Sequence, residues 1–131
     1  MFVGFDHVQL AMPPNEEEKA RGYYGSLLGL KEVPKPEALA ARGGCWFESG
    51  PVAVHLGVQH DFVPAKKAHP AFIVSDLDAL QKRLEGAGYQ VNIDTSVPGV
   101  RRFHTSDPFG NRLEFIQDGE SFSQTDESQA W

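Results

Sequence analysis

A chain of 131 residues that is 40% hydrophobic and 23% charged has the make-up of one globular domain, long enough to bury a core without disulfide or metal staples. Twelve Lys and Arg against 18 Asp and Glu leave a net charge of −6, and no basic run exists, which excludes a protein that tracks nucleic-acid phosphates. The longest stretch free of Asp, Glu, Lys and Arg, Ser49 to His60, is 12 residues, short of the roughly 18 a membrane helix needs.

The single cysteine, Cys45, rules out an internal disulfide and reads as a small buried hydrophobe. The opening Met1-Phe2-Val3-Gly4-Phe5-Asp6 has no basic residue ahead of its apolar start, unlike a secretory signal. A cytoplasmic location is the expectation.

Taken in chain order, the first strand runs over Asp6 to Met12. A helix follows, opened by the capping-box pattern Asn15 and Glu18, with Ala20, Tyr24, Leu27 and Leu28 on one face and Gly29 as its stop. Glu16, Glu17 and Glu18 favour that helix N-terminus through the dipole. Strands over 30–33, 44–48 and 52–58 come next, the last two joined by Ser49-Gly50-Pro51. The pattern then repeats. A strand over His69 to Val74 leads to a helix capped by Ser75 and Asp78, with Leu77, Leu80, Leu84 and Ala87 as its stripe and Gly86 and Gly88 as its stop. Strands over 89–93, 100–105 and 112–117 complete it, with Asp107-Pro108-Phe109-Gly110-Asn111 as a tight reversal.

The predicted fold is therefore α+β: two tandem βαβββ modules, over 4–59 and 68–117, forming a curved, cupped mixed sheet with helices outside. Together they make one domain over 1–117, and 118–131 reads as a polar, acidic tail.

Alternate strand residues share a face. In the first strand His7, Gln9 and Ala11 oppose Val8, Leu10 and Met12. In the fourth, Ala53, His55 and Gly57 oppose Val52, Val54, Leu56 and Val58; in the last, Arg112, Glu114 and Ile116 oppose Leu113 and Phe115. With the apolar faces packed on helices, His7, His55, His69 and Glu114 project from the concave side, on the first and last strands of each module. His7 and His55 are 48 residues apart, His69 and Glu114 45. Three imidazoles and one carboxylate suit one divalent ion of borderline character, Zn, Ni, Fe or Mn, with positions left for water or substrate. Such an ion polarises a bound oxygen and makes catalysis possible.

Three segments carry a family resemblance: Phe5-Asp6-His7-Val8-Gln9-Leu10, Tyr23-Tyr24-Gly25-Ser26-Leu27-Leu28-Gly29-Leu30, and Asp107-Pro108-Phe109-Gly110-Asn111-Arg112-Leu113-Glu114-Phe115. With them, residues 4 to 117 resemble the vicinal oxygen chelate superfamily of glyoxalases, bleomycin-resistance proteins and extradiol dioxygenases. The resemblance implies paired βαβββ modules, a homodimer, a small-molecule substrate, and metal ligands at His7, His55, His69 and Glu114. Glyoxalase I usually has a glutamate, which doubles as a base, where this chain has His55. Extradiol dioxygenases and fosfomycin-inactivating thiol transferases use two histidines and a glutamate, which His7, His69 and Glu114 supply, leaving His55 as a fourth ligand or the catalytic acid–base group. Lyase or isomerase chemistry, ring-opening dioxygenation and thiol addition all stay open. The rival is a metal-free protein of the bleomycin-resistance kind that sequesters a drug.

Of the arginines, Arg112 shares the face of Glu114 and is the best placed to bind an anionic substrate group. Trp46 and Phe47 point to opposite faces, one to the core and the other, taken as Trp46, to the substrate. His60 and His104, near a linker and a turn, read by default as solvated surface; His104 also offers an acid or base behind the metal.

Overall fold

The computed structural model describes residues 1–119, so the expected tail lies outside the described residues from 120 onward. The described chain is α+β. It holds two tandem modules, each a four-stranded mixed sheet, ordered β1-β4-β3-β2 and β5-β8-β7-β6. The strands are β1 (Val8–Met12), β2 (Lys31–Val33), β3 (Cys45–Ser49), β4 (Val52–Val58), β5 (Ala71–Val74), β6 (Asn92–Asp94), β7 (Arg102–Ser106) and β8 (Arg112–Gln117). In each sheet the module's first strand lies parallel to its last. By compactness the chain divides into two units, Met1–Pro70 with Ser106–Arg112, and Ala71–Thr105 with Leu113 onward.

In the first unit, the alternation of β1 and β4 buries Leu10, Met12, Val54 and Leu56 together with Cys45 and Phe47 of β3. The helix after β1 departs from expectation. It begins at Glu17, not at an Asn15 cap; Asn15 has φ 63° and Glu16 stands at the N-cap with no side-chain hydrogen bond to the backbone. One α-helical turn, α1 (Glu17–Ala20), passes into a π-helix over Arg21–Leu27. The Leu28 amide bonds to the Tyr23 carbonyl, five residues back, which is the wider π repeat. That widening is why adjacent Tyr23 and Tyr24 are both buried while Leu27 and Leu28 are half-buried. A short helix, α2 (Glu37–Ala40), lies in a stretch with no apolar stripe to announce it.

The Asp107-to-Asn111 reversal is structural, and it packs in the first unit because its side chains bond there. Asp107, 3% exposed, accepts from the Tyr24 hydroxyl at 2.6 Å, the Phe109 and Asn111 amides at 2.9 Å, and the Asn111 side-chain amide at 3.0 Å. Asn111 also donates to the Ala11 carbonyl at 2.8 Å and accepts from the Ala65 amide at 3.1 Å. Burial pushes the Asp107 carboxyl above its usual range, against the pull of these donors.

In the second unit, α3 (Leu77–Gly86) buries Leu77, Leu80 and Leu84 as its spacing predicts. Its cap is Asp76, which accepts from the Ala79 amide, rather than Ser75, whose carbonyl accepts from Gln117. Ala87 at the C-cap is exposed, and Gly88 with φ 91° closes the helix as Gly88 and Tyr89 amides bond back to Glu85 and Leu84. Phe103, Leu113 and Phe115 fill the apolar face of β7 and β8, and Phe72 packs at a tilt against Phe115. His69 lies two residues ahead of β5, outside the strand predicted to begin with it; Pro70 between them lacks the amide a ladder needs.

The buried fan of donors on Asp107 gives a direct stability test. Tyr24→Phe should lower the unfolding free energy by about 1.5–3 kcal/mol, the worth of a hydrogen bond to a charged group. Asp107→Asn should cost at least as much, because its amide turns a donor toward donors. Urea denaturation of both variants checks this.

Candidate functional site

Strand register makes the two modules equivalent at the level of single residues. Gln9 pairs with His55 and Ala71 pairs with Glu114, so His55 and Glu114 hold matching places on the last strands. His7 and His69 each stand two residues before the paired position, so they match as well.

In the first unit His55 is the centre of a ring stack. Trp46 is its direct cross-strand partner, with ring centroids 3.8 Å apart and planes 2° from parallel. His7 covers the other side at 4.0 Å and 18°. This sandwich leaves His55 7% exposed although it sits on the polar face of β4. The His7 Nδ1 stands 2.8 Å from an Asp6 carboxylate oxygen. Burial, then the neighbouring His7, hold His55 below the usual histidine range. Phe47, on the other face, belongs to the core.

In the second unit β6, β7 and β8 gather charge on one face. Glu114 is 4% exposed, and a carboxylate removed from water requires donors or cations around it. Arg102 meets it: Nη1 donates to Glu114 Oε2 at 3.0 Å, and Nη2 lies 3.0 Å from both Ser96 Oγ and Asp94 Oδ2. The same Asp94 oxygen is 3.0 Å from His104 Nε2, while His104 Nδ1 stands 4.0 Å from Glu114 Oε1. Hydrogen bonds from Ser96, and then from His104, hold the Asp94 carboxyl far below its usual range.

His69, His104 and Glu114 each offer one ligand atom, and these atoms all lie within 4.8 Å of one another. Ligands about 2.0–2.2 Å from one ion stand roughly 3–4 Å apart, so the three are near coordination spacing. The donor chemistry fits a divalent cation. His69 Nδ1 is 2.8 Å from the Lys67 carbonyl, which calls for a proton on Nδ1 and puts the ring lone pair on Nε2. His104 Nε2 faces Asp94, which puts its lone pair on Nδ1, the atom turned to Glu114. A histidine oriented by a carboxylate in this way is the recurrent support of a metal ligand.

The model of the Glyoxalase/Bleomycin resistance protein/Dioxygenase superfamily matches residues 4–115. The chain belongs to this superfamily. A solved structure of a protein from Bacillus anthracis, assigned to the glyoxalase family, is 49% identical and superposes with a TM-score of 0.86 over 90% of this chain and 97% of its own. The fosfomycin resistance protein FosX from Listeria monocytogenes is 15% identical, with a TM-score of 0.72 over 90% of this chain and 95% of its own. A lactoylglutathione lyase from Agrobacterium tumefaciens is 20% identical, with a TM-score of 0.63 over 84% of this chain and 91% of its own. At those two identities the likeness is one of fold. No curated protein matches the sequence. Among the described residues no helix is long and apolar enough to cross a membrane.

Within this superfamily fold, the residues expected from sequence fall into two groups. His7, His55 and Trp46 stack together; His69 and Glu114 come together with His104. His104 is the residue that the default surface reading undervalued. Its strand begins two residues later than predicted and runs through Ser106, so His104 lies mid-strand beside β8 with its side chain 13% exposed, not near a solvated turn. The alternation His104, Phe103, Thr105 carried the signal, since Phe103 and Thr105 are buried on the opposite face. Of the arginines, Arg101 is tied to Asp78, and Arg102 to Glu114 and Asp94. Arg112 lies half-buried at the start of β8, its amide bonded to the Ala65 carbonyl.

The buried ring of His55 sets a pH dependence. Because its folded-state pKa is depressed, the unfolded chain binds a proton there that the folded chain refuses, and stability falls as pH drops below the ordinary histidine value near 6.5. The urea midpoint of the metal-free protein should therefore fall between pH 7.5 and pH 5, and His55→Gln should reduce that fall. An equal decline in the variant would assign the effect to other groups.

Proposed function

We propose that this protein is a divalent-metal-dependent enzyme acting on a small substrate that presents oxygen donors to the ion. The observation that carries the proposal is the convergence of His69, His104 and Glu114, two imidazoles with opposite tautomers and one buried carboxylate. His69 and Glu114 are ligands in this reading and His104 joins them. His7 and His55 stay in the proposed ligand set on the family resemblance. When bound, a divalent ion would polarise a carbonyl or hydroxyl oxygen and lower the pKa of coordinated water. The ion is one of Zn, Ni, Fe or Mn, to which mixed imidazole and carboxylate ligands are suited.

The chain's own residues supply the rest. His55, kept neutral by burial, is the proposed proton acceptor. Trp46 flattens against it and limits its rotation, and Arg112 is proposed to orient an anionic substrate group. Relatives of this fold include a lyase and a fosfomycin resistance protein, so the substrate class is drawn broadly as a small molecule with adjacent oxygens. A homodimer in the cytoplasm completes the proposal.

A second reading, a metal-free binding protein of the bleomycin-resistance kind, is favoured by one observation. Arg102 already gives Glu114 a positive partner from within the chain. Elemental analysis of protein purified without added metal separates the two. The enzyme reading predicts about one equivalent of a first-row metal per chain, lost in both His69→Ala and Glu114→Gln. Wild-type protein without metal, and unable to take up Zn, Ni, Mn or anaerobic Fe(II), would favour the sequestering protein.

A further inference from the structure

One guanidinium touches the support of two proposed ligands at once. Arg102 Nη1 holds Glu114 Oε2, while Nη2 holds Asp94 Oδ2, the oxygen that faces His104 Nε2. The arrangement leaves Glu114 Oε1, not Oε2, as the oxygen turned to His104 Nδ1. A carboxylate gripped at Oε2 would offer Oε1 to an ion bound beside His104.

The arginine holds this place with one of its own donors left over. Arg102 Nε is buried and makes no hydrogen bond, and an orphaned buried donor is costly. The two carboxylates and Ser96 set where the fork sits, and the fork in turn sets them. A lysine, with one rotatable ammonium, cannot span Glu114, Asp94 and Ser96 with fixed angles.

From this geometry, and resting on the metal-centre reading above, we infer that Arg102 is a positioning residue. It acts through Glu114 and through Asp94 to fix the donor atoms of Glu114 and His104, and it is not itself a ligand or a substrate contact. The opposing account makes Arg102 a simple electrostatic competitor, a cation that stands in for the metal.

The two accounts differ in the sign of a measurable effect. Zinc affinity, read by chelator competition on the intact chain, is compared for wild type, Arg102→Lys and Arg102→Gln. Positioning predicts that Arg102→Lys, which keeps the charge and loses the fork, binds zinc about 10- to 100-fold more weakly, the usual consequence of removing a ligand's support. Competition predicts wild-type affinity for Arg102→Lys and tighter binding for Arg102→Gln; either result overturns the inference.

Nitrogen-15 spectra of the metal-free histidines give a readout independent of zinc. In wild type His104 should carry its proton on Nε2, and in Arg102→Lys the signal should move toward a mixture of tautomers. Should wild type bind no zinc, the metal reading fails, and the His104 tautomer alone then decides whether Arg102 positions this face; an unchanged tautomer overturns it. If Arg102→Lys does not fold, Ser96→Ala, which removes one anchor of the fork, should show the same changes at a few-fold scale, and their absence counts against the inference.

Discussion

Glu114 has its side chain inside the second sheet, where an ionised carboxylate is tolerated only if positive charge and hydrogen-bond donors surround it. The neighbouring strands answer that demand in a graded way. Arg102 takes one oxygen, His104 approaches the other, and Asp94 on β6 accepts from both Arg102 and His104. Strand alternation makes the arrangement possible. Arg102, His104 and Glu114 face one way while Phe103, Leu113 and Phe115 face the other and form the core that fixes the strands. The electrostatics of the site and the stability of its sheet are thus two faces of the same three strands.

The first module spends the equivalent positions differently. Where the second has Glu114, the first has His55; where the second brings His104 alongside, the first brings Trp46. The outcome is an aromatic stack rather than a network of salt bridges. The two βαβββ modules thus carry an aromatic stack on one sheet and a network of acidic and basic side chains on the other. In the first unit the Tyr24 hydroxyl, from the π-helical segment, ties that segment to the buried Asp107 hub.

Much of this was legible in the sequence, because apolar and polar residues alternate cleanly in β1, β4 and β8. Val52–Val58 and Arg112–Gln117 fall where the alternation ends them, and the register confirms that His7 matches His69 and His55 matches Glu114. The capping signals fell one residue short of the observed caps, Glu16 and Asp76. Asn15 looks like a helix cap but sits at positive φ, and Asp76 displaces Ser75 because its carboxylate reaches the Ala79 amide. His104 was undervalued since a histidine near a Pro-Gly reversal resembles surface, and only the neighbouring Asp94 and Glu114 give it a role. Those two are 10 residues away on either side, a separation that no local motif spans.

The central claim is that His69, His104 and Glu114 converge on one cation. Diffraction from crystals soaked in a zinc salt, collected on both sides of the zinc absorption edge, tests it most directly. The account predicts an anomalous peak about 2.0–2.2 Å from a nitrogen of His69, from His104 Nδ1 and from Glu114 Oε1. Anomalous density only at other side chains, with the Arg102–Glu114 pair left intact, would contradict it.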